Sequence, residues 1–419
     1  MSEVPSTAPA ATDAVPLRGF VARGRLLGLI GPAFVAAIAF VDPGNIATNI
    51  SAGVDYKYLL LWAVVAAALM AMVVQYLSAK LGLATGQSLA EVCRERTNTP
   101  VRITLWLVAE IVVISTDLAE FVGGAIALQL LFDIPLLPGG IIVAAVSMLV
   151  LRMRVKGREL FPIVVVALLV VLAGCFIYLI ARSPFDPSAA LASLVPRLDD
   201  SASALLACGI IGATVMPHAV FLHSSLAGSF AAERRRGTPL PVLLRYLRRD
   251  VLVAMTLAGV VNALMLLIAT ELPAGTSSEL DAVYRAFADN RGTVFAVCFA
   301  VAMLASGLAS ACAGVFAGQA IMQGFLRVRS NIWLRRLIST IPALVVLALV
   351  PNTTQALVLS QVVLSFGLPF ALIPLLIFTS RRVVMAELVN GPVVKLLGGL
   401  ITAIVVGLNM FLLVITFAG

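Results

Sequence analysis

The sequence predicts an all-α polytopic membrane protein of eleven transmembrane helices. Ten of them fall into a 5+5 inverted repeat in which helices 1 and 6 are broken. Three observations carry that prediction. Of the 419 residues, 61% are hydrophobic and only 12% charged, against about 25% charged in soluble domains, and the mean hydropathy is +1.06. Apolar runs long enough to cross a bilayer recur eleven times, with basic residues gathered at alternate ends. Two of those runs, the first and the sixth, are interrupted by a proline beside a polar or charged residue: Asp42-Pro43-Gly44-Asn45 and Met216-Pro217-His218.

Taken in order, residues 1–20 are rich in Ala, Pro, Ser and Thr and are expected to form a disordered cytoplasmic tail. The rest, 21–419, is expected to be one integral membrane domain. No cleavable signal peptide of the usual form is expected, because the first apolar run leads into a broken helix and not into a small-residue cleavage site. The first five runs lie at 26–52, 57–82, 103–131, 136–153 and 159–182. The stretch Gly82-Leu83-Ala84-Thr85-Gly86-Gln87-Ser88 after the second reads as a short cytoplasmic turn. Its glycines come without the lysine of a nucleotide-binding loop, and the chain holds no such loop, so ATP is not expected to drive it. Runs six to eleven lie at 203–230, 250–270, 293–323, 334–350, 353–379 and 394–418. Repeat one then covers about 26–182, repeat two about 203–379, and the helix at 394–418 is extra.

Charge placement tests this parse. With the N-terminus in the cytoplasm, twenty-four of the 29 Lys and Arg residues fall in cytoplasmic segments, among them Lys80, Arg94, Arg234, Arg248, Arg336 and Arg381. Only Lys57, Arg182, Arg197, Arg285 and Arg291 remain outside. A wrong helix count would scramble the alternation. The net charge of +8 is therefore topological, with an inside N-terminus and an outside C-terminus, and a nucleic-acid partner has no support. Five cysteines (Cys93, Cys175, Cys208, Cys298, Cys312) show no metal-ligand spacing and read as small buried hydrophobes. The glycosylation patterns at Asn49 and Asn352 sit at span ends and are discounted.

Paired interruptions at corresponding positions of two five-helix halves point to a substrate site at the repeat interface. A broken helix frees backbone carbonyls, which in a membrane must line a cavity or meet an ion. The half-helices ending near Ala39 and Ala213 each present a negative dipole end, which favours a cation. Asp42 adds a full charge, Asn45 a carboxamide oxygen and Met216 a thioether sulfur. Oxygen alone suits Mg²⁺, Ca²⁺ or Mn²⁺, whereas the soft sulfur shifts preference toward Mn²⁺, Fe²⁺ and Co²⁺. Taken singly, Met216 reads as core packing, Pro217 as a kink and His218 as an interhelical hydrogen bond. An acid within a membrane run is different, since it costs about 2.5–3.5 kcal/mol on insertion scales and marks function by default.

Asp42-Pro43-Gly44-Asn45 in span one with Met216-Pro217-His218 in span six resembles the paired signature of the Nramp family (natural resistance-associated macrophage protein), over spans one to eleven. The eleven-span count resembles its bacterial manganese-importer branch. The resemblance implies a LeuT-like fold and proton-coupled import of divalent transition metals, with the ion held by Asp42, Asn45, Met216 and the carbonyls of Ala39 and Ala213. Related magnesium transporters replace the metal-binding methionine, and its retention here argues against that branch.

Other polar residues extend the reading. Glu110, Asp117 and Glu120 in span three lie along one helical face, and three acids in one span suggest a proton route. Arg335 and Arg336 at the start of span nine are expected to pair with Asp117 and Glu120. The alternative is a static salt-bridge network; the resemblance, which implies a proton exit path at matching positions, favours the route. Asp42 would be the first proton acceptor, since metal binding displaces its proton. His218 and His223 in span six are relay candidates or ordinary polar contacts. Gln361 in span ten matches a family position that closes over the metal. Asn262 and Thr214 are weaker candidates, and Gln75, Gln319 and Gln323 are possible vestibule linings. The expected function is a secondary active metal importer in the bacterial inner membrane, not an enzyme. Its partners are the divalent ion, protons and the lipid bilayer, with no cofactor. The rivals are a sodium-coupled organic-solute symporter of the same fold and a non-transporting metal sensor.

Overall fold

The structure, a computed structural model, describes residues 31–155, 160–184, 186–328 and 332–418. The expected tail at 1–20 lies outside them, as do Arg18, Arg23, Arg25, Lys156, Arg158 and Arg329. Every described helix is α-helical or a short 3₁₀ turn, and each of the eleven apolar runs carries one or two helices.

Span one is α1 (Pro32–Ala39) followed by α2 (Pro43–Tyr56), bent by 56° at the break. Span two is α3 (Leu61–Thr85), which stops at Gly86, φ +73°, in the left-handed conformation that glycine adopts without strain. The turn expected here is followed by a helix that was not expected, α4 (Leu89–Arg96). A capping box starts it, with Ser88 and Glu91 each satisfying the other's backbone N–H. Spans three to five are α5 (Thr99–Phe132), α6 (Leu136–Val155) and α7 (Leu160–Ala181). A short α8 (Pro187–Ala192) lies in the following loop.

Span six is α9 (Ser201–Thr214) with α10 (Pro217–Arg235), whose halves stay close enough to collinear to count as one 35-residue span. The paired breaks thus differ in angle. Span seven, α11 (Leu240–Thr270), begins ten residues before the apolar run at 250–270. Its basic first turns extend beyond the hydrocarbon, where hydropathy cannot see them. An amphipathic α12 (Leu280–Arg291), also unexpected, precedes α13 (Thr293–Leu326), α14 (Ile332–Leu349) and α15 (Thr353–Thr379), which are spans eight to ten. After α16 (Arg382–Met385), α17 (Pro392–Ala418) forms span eleven. Asn409 of α17 grips α15 twice, donating to the carbonyl of Ser365 (2.8 Å) and accepting from its hydroxyl (2.9 Å).

The scaffold packs α5 along α13, with α14 and α6 beside α5, and the broken spans sit inside it. Burial follows. In α2, all residues from Pro43 to Val54 are buried, and the apolar window of span six is 94% buried, whereas that of α17 is only 28% buried. On the face opposite the α3–α4 turn, Tyr56 donates to Asp200 (2.7 Å) and the indole of Trp62 to the carbonyl of Arg197 (3.0 Å). Hydrogen bonds from the Ser203 backbone and Tyr56 hold the exposed Asp200 carboxyl below the usual carboxylate range. Asn49 is buried and Asn352 caps α15, so neither presents itself as a glycosylation acceptor. All five cysteines are free. Cys93, Cys208 and Cys312 are buried as expected, and Cys175 and Cys298 are partly buried, packed against the core.

Candidate metal site

In a regular helix the carbonyl of residue i accepts from the N–H of residue i+4. For Ala39 that residue is Pro43, and for Ala213 it is Pro217, and proline has no N–H. The two breaks therefore free the same carbonyl in each half. Each proline stands at the first position of the second half-helix, where a missing N–H costs nothing and the fixed φ fits. One residue type ends one half-helix and begins the next.

Asp42 is the N-cap of α2. Its Oδ1 accepts from the Asn45 backbone N–H (2.7 Å) and from Asn45 Nδ2 (2.9 Å), while its Oδ2 is buried without a hydrogen-bond partner. The positive end of α2 stabilises the carboxylate. The break in span one is thus bipolar, with a freed carbonyl on one side and a capped acid on the other. Asn45 Nδ2 also donates to the carbonyl of Ala213 (3.0 Å), and Thr214 donates to Asn45 Oδ1 at 3.5 Å. The structure thereby joins Asp42, Asn45 and Ala213 directly. Met216 is the N-cap residue of α10 and is fully buried.

Gln361 of α15 arrives from the third side. A Cβ on Gly44 would lie 1.8 Å from Gln361 Nε2, so the carboxamide rests on the backbone of the first turn of α2. Its Nε2 donates to Ser360 (3.0 Å), and its Oε1 is buried without a partner. Asp42, Asn45, Met216 and Gln361 all have no solvent exposure. Among the described residues no three His, Cys, Asp or Glu side chains converge as a metal cluster. The polar set at the breaks is one carboxylate, carbonyl and carboxamide oxygens, and one sulfur.

The other carbonyls of the first break are already taken. Asn262 Nδ2 donates to Phe40 O (2.9 Å), Asn49 Nδ2 donates to Asn262 Oδ1 (2.9 Å), and Ser306 donates to Val41 O (2.5 Å). Asn262 is a supporting residue and not part of the freed set. Sequence reasoning missed Ser306, one serine in an apolar run, for which no local signal exists. It missed Asp250 too, whose Oδ2 accepts from the backbone N–H of Ala33 (2.9 Å) and caps α1 from α11. A Cβ on Gly31 would fall within 2.3 Å of that carboxylate.

The span-three acids pair with span nine, but differently from expectation. Arg335 meets Glu110 through two contacts (3.2 and 2.9 Å), not Asp117 or Glu120. Arg336 alone meets both inner acids, Asp117 at 3.2 Å and Glu120 at 3.8 Å, and stacks 4.4 Å over Phe121. The reason is geometric: adjacent helical residues point about 100° apart, and seven residues span roughly 10 Å of helix, so two neighbouring arginines cannot share the same acids. His218 Nδ1 lies 3.2 Å from the hydroxyl of Thr116, next to Asp117, and its Nε2 is buried without a partner. His223 Nδ1 contacts Gln75 Oε1 (2.8 Å). Gln319 is buried and Gln323 half-buried in the last turns of α13, and among the described residues no side-chain hydrogen bond joins either to the breaks.

Known proteins carry the same architecture. The family description "Natural resistance-associated macrophage protein-like" matches residues 33–415. The chain is 48% identical over 396 residues to the divalent metal cation transporter MntH of Mycobacterium tuberculosis, covering 93% of this chain and 92% of that protein. It superposes on a crystal structure of the manganese transporter of Eremococcus coleocola with a TM-score of 0.82 and 31% identity, over 98% of this chain and 90% of that one. MhsT, solved with L-phenylalanine, shares the fold alone, at a TM-score of 0.58 and 13% identity over 92% of this chain and 98% of that one. With a family match over nearly its whole length and an all-helical fold in a LeuT-like arrangement, this multi-pass membrane protein belongs to the Nramp family.

Proposed function

We propose that the chain is a secondary active importer of divalent transition-metal ions, Mn²⁺ and Fe²⁺ among them, coupled to protons and working by alternating access. One observation carries the reading: Pro43 and Pro217 free the carbonyls of Ala39 and Ala213 at the two breaks, and the Asp42–Asn45 pair bridges them. One charge, several oxygens and the sulfur of Met216 form a donor set for a bare, borderline-soft cation. The relatives of this chain are transporters of such ions by name. Likeness to MhsT is a likeness of fold and brings no organic substrate with it.

For entry, Asp42, Asn45, Met216 and the two carbonyls take the ion, and Gln361 closes over it. Asp42 yields its proton as the cation arrives. Thr116 and His218 connect the site to span three, where Asp117, Glu120 and Arg336, then Glu110 and Arg335, pass the proton onward. The half-helices of spans one and six rock against a scaffold of spans three, four, eight and nine. An inside-negative potential of 100 mV contributes about 2.3 kcal/mol per charge, so a divalent cation is drawn inward in a bacterial inner membrane with the N-terminus cytoplasmic and the C-terminus outside. Spans one to five and six to ten form the two inverted repeats, and span eleven is additional.

Uptake of Mn²⁺ into proteoliposomes at two external pH values tests the proposal. Uptake that rises with a proton gradient, accompanied by inward proton flux, is expected. Binding of Mn²⁺ without flux would favour a sensor, and sodium-driven amino-acid uptake would favour the organic-solute symporter.

A further inference from the structure

Away from the breaks, three arginines meet around one cavity on the face that carries the α3–α4 turn. The cavity, about 330 Å³, is lined by Arg94, Glu95, Arg102, Phe325, Leu326 and Arg327. It lies where α4, the first turn of α5 and the last turn of α13 come together. Arg94 Nη1 donates to the carbonyls of Gln323 (3.1 Å) and Gly324, closing the C-terminus of α13. Its Nη2 lies 3.7 Å from Glu95, whose carboxylate also accepts from Gln87 (2.9 Å). Arg327, in the left-handed conformation at φ +58°, ends α13 and is exposed at the rim. Two of these guanidinium groups also keep an unpaired N–H. The Nε atoms of Arg94 and Arg102 are both buried with no hydrogen-bond partner among the described residues.

A buried N–H of a charged group is costly to leave unpaired. One glutamate, itself shared with Gln87, cannot balance three arginines. Guanidinium groups match the tetrahedral oxygens of phosphate through forked hydrogen bonds, and the N-terminus of the 34-residue α5 adds its positive end. We propose that this cavity binds a phosphate group, held by Arg94 and Arg102 with Arg327 over the opening. The phosphate belongs either to the headgroup of an anionic phospholipid or to a small soluble anion.

The site has a mechanical consequence. The backbone N–H of Leu89, at the start of α4, donates to Ser224 of α10 (2.9 Å). Nearby, Ala90 packs on Gly324 of α13 so closely that a Cβ there would come within 2.3 Å. Helix α4 is therefore a strut from the inner half of span six to the scaffold. A phosphate in the cavity pins its scaffold end.

The test uses the full chain in nanodiscs, measuring thermal unfolding. Discs of phosphatidylcholine are compared with and without millimolar inorganic phosphate at constant ionic strength, and with discs containing phosphatidylglycerol. A rise of about 2 °C or more is expected in at least one arm. A rise with inorganic phosphate assigns a soluble ligand; a rise with phosphatidylglycerol alone assigns a lipid. Arg102→Ala, which breaks no side-chain hydrogen bond among the described residues, should at least halve the rise, and Arg327→Ala should weaken it if Arg102→Ala does not fold. Arg245→Ala, an exposed arginine elsewhere on α11, should leave it intact. No rise in either arm, or a full rise in Arg102→Ala and Arg327→Ala, overturns the proposal. Because the readout is stability, the outcome is independent of whether the chain transports metal.

Discussion

The side-chain amide of Asn45 donates to the carbonyl of Ala213 across 3.0 Å, joining the broken helix of span one to that of span six. The same amide bonds Asp42, so one nitrogen sets the distance between the acid and the distant carbonyl. Asn45→Ala should lower Mn²⁺ uptake efficiency by roughly 10–100-fold, the range found when groups that orient metal ligands are lost. Asn45→Asp puts a second carboxylate beside Asp42 and should not rescue it. Initial-rate uptake in proteoliposomes reads both.

Met216 is the only soft donor in the set. Met216→Ala should retain part of the Mn²⁺ flux and lose discrimination against Ca²⁺, because oxygen donors alone do not disfavour calcium. Competition between Mn²⁺ and Ca²⁺ measures it; an unchanged ratio would remove the sulfur from selectivity.

Gly44 owes its identity to Gln361. With 1.8 Å between an added Cβ and Gln361 Nε2, Gly44→Ala should displace the carboxamide and cost about 1–3 kcal/mol of overpacking. Pairing it with Gln361→Ala should recover much of the stability without recovering transport. A double-mutant cycle on thermal stability and on uptake separates the two effects.

Arg336 holds two acids at once. Arg336→Ala leaves Asp117 and Glu120 without their cation in a buried site, which should cost about 3–5 kcal/mol and lower the yield of folded protein. Asp117→Asn removes a single charge and is the cleaner probe. It should weaken the dependence of uptake on external pH while changing Mn²⁺ affinity little. Proton flux at the level of the unmodified protein would return this cluster to a static salt-bridge role.

Asp250 caps α1 from span seven. If α1 must swing to release the ion, Asp250→Ala should free it, since loss of an N-cap costs about 0.5–2 kcal/mol. A cysteine placed at Ala33, in a chain with its five native cysteines replaced, should then react faster with a polar thiol reagent. Equal labelling rates with and without the change would show that this bond does not hold α1 shut.

The membrane class, the spans and both breaks are legible in the sequence because their signals are local. A run of apolar residues, a proline and an intramembrane acid each announce themselves within a few positions. The i+4 rule, applied to Pro43 and Pro217, names the freed carbonyls of Ala39 and Ala213, whereas the bond from Asn45 to Ala213 is visible only in the structure. What escaped depends on distance in the chain. Ser306 reaches Val41 O, and Asp250 reaches Ala33, across more than two hundred residues, and neither looks unusual where it stands. The pairing of Arg335 with Glu110, which leaves both inner acids to Arg336, depends on how α14 is rotated against α5, and no spacing within span three encodes that. Helices α4 and α12 escaped because short polar helices lack the apolar run that hydropathy detects.

Pro43 has a further role through its neighbours. A Cβ on Gly123 of α5 would lie 2.1 Å from the Pro43 side chain, and one on Gly307 of α13 would lie 3.3 Å from it. The ring of the residue that opens the helix is thus socketed between the two longest scaffold helices. In the proposed transport cycle a socket of that kind would serve as a fulcrum, about which one arm of span one could tilt while Asp42, the neighbour of Pro43, keeps its place against α5 and α13.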